Sequence, residues 1–304
     1  MTRSLSPVVL FVYNRADHTK ITVDSLKNNL FSNESLLYVY SDGPKNDNDL
    51  PAINKVRNIV NNIKGFKEVI VRESYSNQGL AKSIISGVTE ILEQHGRAIV
   101  IEDDLVFSED FLQYMNSSLD YYQSNPKVMS IGGYSFPIQI DKSYYFDDYS
   151  SYRTVSWGWG TWLDAWKKAD WEVKDFEKFK KNKTSVRLFD RGGSDLSRML
   201  EQQMIDMIDS WSIRWDYTHF LNDAITILPS KTRVLNIGQD GSGTHCRSAK
   251  DANLELNRVM SEEIQHMTGI HLDNLIIKRI YNLHGNKLIN ATKFYIKKYL
   301  KGRK

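Results

Sequence analysis

Short apolar runs and helix-spaced segments alternate along the first third of the chain. Val8–Tyr13, Leu36–Ser41, Glu68–Val71 and Arg97–Ile101 are each short, apolar and rich in Val, Ile or Tyr, which predicts strands. Between them, Asp17–Leu30, Pro51–Ile63 and Gly79–Gln94 carry apolar residues at helical spacing. This βαβα order predicts a mostly parallel sheet with helices on both faces. Such sheets bind ligands beyond the carboxyl ends of their strands.

The pattern changes after Asn125–Pro126. "KVMSIGG" reads as one more sheet strand, but the stretch beyond it is rich in loop signals: "GGYSFP", "SWGWGTW" and "DRGGSD". All seven tryptophans fall between Trp157 and Trp215. One continuous α/β domain over residues 1–247 is expected, with residues 1–125 as the ligand-binding half and residues 126–247 folding over the strand ends. A helical, peripheral extension is expected over residues 248–304.

Composition narrows the class. The chain has 304 residues, 41% of them hydrophobic, enough for a sizeable core. A net charge of +3 gives no global signature of nucleic-acid binding. The single cysteine, Cys246, excludes an internal disulfide and fits a reducing compartment. The N-terminal apolar stretch is interrupted by Tyr13 and Asn14 and has no signal-peptide cleavage pattern, so a cytoplasmic location is expected. One local bias stands out. Gly285–Lys304 holds seven Lys or Arg and no acid, interleaved with Leu288, Ile289, Phe294, Ile296, Tyr299 and Leu300. It reads either as a solvated helix or as a peripheral contact with an anionic membrane surface.

The chemistry is concentrated at the strand ends. The fourth strand runs into three consecutive acids, Glu102, Asp103 and Asp104. Unpaired charges in a dry site cost several kcal/mol, so the acids are either solvated or meet a cation. A hard ion such as Mg²⁺ or Mn²⁺ prefers carboxylate oxygens and brings substrate phosphates with it. The same rim carries Asn14 and Arg15 after the first strand, Asp42 after the second, and Asn77 to Lys82 at the start of a helix. Each junction alone is an ordinary turn or cap. Together with the triplet they point to a nucleotide diphosphate held by helix N-termini and a cation.

The segments "FVYNR", "SDGPK", "NQGLAKSII", "IEDDLVFSEDFLQYMN" and "SWGWGTW" resemble a GT-A fold glycosyltransferase of bacterial surface-polysaccharide type, over about Pro7 to Cys246. They are also similar to the eukaryotic enzymes that add N-acetylglucosamine to N-glycan cores. The resemblance implies that Asp104 ligates Mn²⁺ or Mg²⁺, that Glu102 and Asp103 face the ribose and nucleotide, and that Asp42 contacts the base with Arg15 beside it. It further implies a UDP-sugar donor and a glycan acceptor, lipid-linked in the synthesis of capsule, O-antigen or a similar polymer.

An inverting transfer needs a carboxylate to take the acceptor proton, a contribution of about 10²- to 10⁴-fold. "MIDMIDSWSIRWDYTHF" offers Asp206, Asp209 and Asp216. In the similar eukaryotic enzymes the base directly precedes a Trp. Here Ser210 stands before Trp211, one position off, while an Asp-Ser-Trp before Ile-Arg-Trp in the bacterial sequences favours Asp209, with Asp216 the alternative. Arg214 pairs with an acid or a phosphate on either reading. Trp157 and Trp159 are candidates to stack on a sugar, against the plainer reading that most of these tryptophans are core. His245, in "IGQDGSGTHC", either completes the metal site or is structural.

Two other readings compete: a nucleotidyltransferase that makes nucleotide sugars, and a non-catalytic carbohydrate-binding protein on the same fold. The first expects a Gly-rich loop after the first strand, yet no glycine precedes Gly43. The second has no use for the acid triplet and Asp209.

Overall fold

The structure is a computed structural model and describes residues 5–238, 255–257 and 263–284. The first half follows the periodicity closely. Strand β1 (Val8–Val12) leads through residues 13–15 into α1 (Ala16–Lys27), and β2 (Leu36–Ser41) leads into α2 (Leu50–Val60). Then come β3 (Glu68–Glu73), α3 (Leu80–His95) and β4 (Arg97–Glu102). The acids turn the chain into a short strand β5 (Leu105–Phe107), and α4 (Phe111–Tyr122) returns to β6 (Val128–Gly132).

The second half is more regular than its loop signals suggest. It holds β7 (Asp148–Ser151), β8 (Trp159–Trp162), α5 (Leu163–Trp166), α6 (Phe176–Lys181), α7 (Lys183–Phe189), α8 (Leu196–Met204) and α9 (Trp211–Leu221). Strands β9 (Ile225–Pro229) and β10 (Val234–Asn236) follow, and then α10 (Asn274–Leu283).

Eight strands form one sheet in the order β3-β2-β1-β4-β8-β6-β9-β7. Strands β3, β2, β1 and β4 are parallel, β8 lies antiparallel between β4 and β6, β9 is parallel to β6, and β7 closes the edge antiparallel. The fold is therefore mixed α/β, with a large, mostly parallel sheet flanked by helices.

Alternation along the strands sorts side chains to two faces. Val8, Leu10 and Val12 face α1, α2 and α4 through Val23, Leu26, Val56 and Met115. Val9 and Phe11 face the other way, onto Ile84, Val88 and Ile91 of α3 and onto a tryptophan cluster. A third, smaller core gathers Phe176, Phe179, Phe189, Leu196 and Leu200. Helix α9 bridges two of these: Trp211 and Trp215 face the sheet, while Ile213 and Tyr217 face the small core.

Of residues 248–304, expected to be a helical and peripheral extension, the described part includes helix α10. Residues 263–273 are not helical, and Met267, Ile276 and Ile280 are buried in the main core. Asp148 fixes this segment to β7, accepting from His266 Nδ1 at 2.7 Å and from the backbone N–H of Met267 at 3.0 Å. Among the described residues no helix is long and apolar enough to cross a membrane. The basic stretch Gly285–Lys304, His245 and Cys246 lie outside the described residues.

Candidate nucleotide and metal site

The site is built where β1 and β4 end side by side, with Phe11 in register with Glu102. The Arg15 guanidinium lies across the acid turn. Its Nη2 donates to Asp103 Oδ1 and, at 3.1 Å, to Asp104 Oδ2. The backbone N–H of Tyr13 donates to the other Asp103 oxygen at 3.4 Å. Thr22 of α1 fastens the turn from below: its hydroxyl donates to the Asp103 carbonyl at 2.9 Å and accepts from Leu105 N–H at 3.1 Å. Asp103 and Asp104 are buried, and Arg15 is partly buried, with 21% of its side chain exposed.

Crowding acids in a dry turn has the expected electrostatic result. Burial, and then the charges of Asp104 and Asp103, push the Glu102 carboxyl up to about 8, against the pull of Arg15. Burial also raises Asp103, opposed by Arg15. Desolvation works against charge on Arg15 too, but Asp103 and Asp104 outweigh it and hold the guanidinium protonated.

Two polar groups in this cluster are left over. Arg15 Nη1 is buried and has no hydrogen-bond partner among the described residues. Asp104 Oδ1 accepts no hydrogen bond from the described residues. An unpaired buried donor is costly, so such a position suits a ligand oxygen. The donor set also fits a hard divalent cation. Among the described residues no three His, Cys, Asp or Glu side chains group to hold a metal, but Mg²⁺-type sites use one or two carboxylates and take their other oxygens from phosphates and water. Asp104 Oδ1 is a free carboxylate oxygen for that role; the Glu102 carboxyl also accepts no hydrogen bond from the described residues, but burial beside the two aspartates favours its neutral form.

A late segment closes over the acids. Strand β10 pairs antiparallel with β5, with Asn236 opposite Leu105. That register carries Ile237 and Gly238 alongside the turn, and Ile237 N–H donates to the Asp104 carbonyl at 2.8 Å. A Cβ on Gly238 would stand 2.3 Å from Asp104 Oδ2 and 2.9 Å from Arg15 Nη1. The position tolerates no side chain while the acid and the guanidinium keep their places.

Asp42 belongs to the same rim, with a different role from the one the resemblance implied. Its Oδ1 accepts from Gly43 N–H at 2.8 Å and Gln78 N–H at 2.9 Å. Its Oδ2 accepts from Asn77 Nδ2 at 2.9 Å and Gly79 N–H at 3.1 Å. Four donors fill a carboxylate's acceptor sites, so none remains for a base. Asp42 and Asn77 act as a staple that fixes the loop leading into α3. Asn14, beside Arg15, makes no hydrogen bond through its side chain to the described residues, and Lys82 is exposed on the first turn of α3.

The two base candidates separate. Asp209 is on the surface, with 67% of its side chain exposed, and Arg214 Nη2 stands 3.5 Å from its Oδ1. Its Oδ2 would lie 3.9 Å from a Cβ on Gly79, so it faces the loop that Asp42 staples. Arg214 is held by the carbonyls of Ser210 and Trp171, each at 3.1 Å. Asp216 is corrected as a base. It is 6% exposed and accepts from Thr154 N–H at 2.7 Å, beside the Arg153–Asp195 ion pair. Burial pushes it up to about 6 against Arg153. Its carboxylate is committed to Thr154 and Arg153 inside the fold, whereas that of Asp209 is open to solvent.

Trp159 is corrected too. It is 1% exposed and stacks on Trp211 at 4.8 Å and Trp166 at 5.7 Å, in the core between the sheet and α9. Trp157 is only partly buried and meets Tyr134 edge-on at 4.7 Å. The difference comes from Gly158 between them. Its φ of 60° breaks the strand alternation that would have put both rings on one face.

The sequence reading missed Thr22 and Gly238. Gly238 was visible as part of "IGQDGSGTHC", but its contact with Asp104 depends on the β5–β10 pairing, which no local pattern announces.

No family model and no curated protein matches the chain. Several solved structures do. A mannosyltransferase from Pyrobaculum calidifontis, in complex with GDP-Man and Mn²⁺, is 14% identical over 43% of this chain and 36% of that one, with a TM-score of 0.32. S. aureus TarS, residues 1–349, is 13% identical over 78% of this chain and 61% of that one, with a TM-score of 0.42. The same TarS fragment in complex with UDP-GlcNAc gives 12%, 76%, 57% and 0.38. This chain spans less than two thirds of the length of each of these structures. At such scores the likenesses carry no argument about what the chain does.

Proposed function

We propose that this protein is a metal-dependent GT-A glycosyltransferase that moves a sugar, with inversion, from a UDP-sugar to a hydroxyl of a glycan acceptor in the synthesis of a surface polysaccharide. The observation that carries this reading is the Arg15–Asp103–Asp104 cluster at the ends of β1 and β4, with Arg15 Nη1 buried beside Asp104 and without a partner among the described residues.

On this reading Asp104 holds the cation, which when bound offsets the charge that develops on the departing diphosphate. Arg15 keeps the turn in shape through Nη2 and donates to a phosphate oxygen through Nη1. Asp42 and Asn77 hold the loop at the start of α3 against the nucleotide. Asp209 takes the acceptor proton, with Arg214 keeping its carboxylate aimed. Trp157, on the same rim, offers a ring face to the acceptor sugar.

The test is calorimetric titration with UDP, GDP and CMP, each with Mn²⁺ and with chelator, on the wild type and on Asp104→Ala. UDP binding that needs both the metal and Asp104 is expected. Asp209→Asn should keep that binding and lose turnover by about 10²- to 10⁴-fold. No nucleotide binding under any condition would overturn the proposal.

A further inference from the structure

Away from the acid turn, α7 and α10 enclose an open groove of about 660 Å³. Five cations line it: Lys180, Lys183, Arg187, Arg191 and Lys278. Asp190 is the one acid in the lining. Two of the cations have partners in the fold. Lys180 pairs with Glu201 at 2.9 Å, and Arg191 lies over the Tyr152 ring at 4.1 Å. Lys183, Arg187 and Lys278 are exposed and have no acid within ion-pairing distance among the described residues.

Between the charges the floor is apolar. Val186, Ile277 and Tyr281 are half-buried there, and Leu188 and Leu275, on the same two helices, are exposed. Long cationic stems around an apolar floor suit a surface that is anionic outside and apolar just beneath, as a lipid bilayer is. The chain continues from α10 directly into Gly285–Lys304, with seven Lys or Arg, no acid and interleaved apolar residues. Lys278 of α10 therefore leads in sequence into that basic stretch, while Lys183 and Arg187 of α7 join it through the fold.

We propose that the groove between α7 and α10 is a docking surface for the phosphate-bearing head groups of an anionic membrane, with Lys183, Arg187 and Lys278 as its contacts. This does not depend on the nucleotide site. Because three charges act together, their reversal should weaken vesicle binding by at least about a hundredfold at moderate salt. Millimolar free phosphate should not compete, since no enclosed anion pocket is needed.

The experiment is co-sedimentation of the full chain with phosphatidylglycerol–phosphatidylcholine vesicles and with phosphatidylcholine vesicles alone. The variants are Lys183→Glu/Arg187→Glu/Lys278→Glu and, as a milder set, Lys183→Gln/Arg187→Gln/Lys278→Gln, each checked by circular dichroism. Salt-sensitive binding of the wild type to anionic vesicles only, lost stepwise in the two variants, is the expected result. Wild-type binding by both variants would overturn the proposal. So would failure of the wild type to bind anionic vesicles, displacement from them by millimolar phosphate, or binding to single-stranded RNA in preference to vesicles.

Discussion

Replacing Gly238 with alanine would put a methyl group where the acid cluster already has an oxygen. The new Cβ would sit 2.3 Å from Asp104 Oδ2, against 3.4 Å or more for ordinary contact, so one side must retreat by about an ångström. The backbone resists, because Ile237 N–H is tied to the Asp104 carbonyl and Gly238 N–H to Asn236 Oδ1, both at 2.8 Å. Asp104 therefore moves. The Arg15–Asp104 contact of 3.1 Å would stretch to about 4 Å and cease to be a hydrogen bond. Overpacking of this kind costs about 1–3 kcal/mol of stability, which a domain of this size survives. Misplacing a ligand group by an ångström costs far more in function, about 10²-fold. Gly238→Ala should thus stay folded, melt a few degrees lower, and bind UDP with Mn²⁺ at least about tenfold more weakly in a calorimetric titration. Wild-type affinity in a folded variant would refute the placement of Gly238 over the site.

Asp42→Asn exchanges an acceptor for an amide group facing two donors, Asn77 Nδ2 and Gly79 N–H. A loss of about 2 kcal/mol is expected in urea denaturation without any nucleotide; unchanged stability would mean that Asp42 is no staple. Trp159→Ala should cost about 3–5 kcal/mol, as for a core aromatic, while Trp157→Ala should spare stability and raise KM for the acceptor; the reverse pattern would return Trp159 to the surface. Asp216 and His219, one turn apart on α9, should offset each other in acid. Burial raises Asp216 to about 6, so its contribution to stability falls as pH rises from about 4 to about 6. Burial lowers His219 to about 4, so its contribution rises with pH over about 4 to 6.5. Asp216→Asn leaves the His219 slope alone, and the variant should lose about 3 kcal/mol more than the wild type on going from pH 6.5 to 4; identical acid profiles would show that Asp216 is solvated.

The parallel half of the fold was legible because β1, β2 and β4 are buried on both faces, the edge strand β3 is still rich in Val and Ile, and the helices are amphipathic. Strand β2 falls where the pattern puts it, and β1, β3 and β4 end within two residues of expectation. Strand β8 was not legible. The glycines of "SWGWGTW" are poor strand formers and made the run read as a loop, and the strand forms because Ala98, Ile99 and Ile131 are there to pair with. In the site, Arg15 and the acid triplet were readable because each follows its strand directly. What Asp42 does was not readable, since its partners Asn77, Gln78 and Gly79 lie 35 to 37 residues on. Asp216 and Trp159 misled for one reason: sequence shows what a side chain could do at a surface and does not show whether it reaches one.

The position of β8 has a consequence for synthesis. Strand β4, with Ala98 to Ile101 buried, is flanked on one side by β1 and on the other by residues 159–162. During translation its outer edge stays open until about sixty more residues have left the ribosome. Strand β6 waits for the same partner. Open apolar edges recruit other chains. The described strands before and after residue 125 thus share one sheet, and a fragment ending at residue 125 would be expected to aggregate rather than fold.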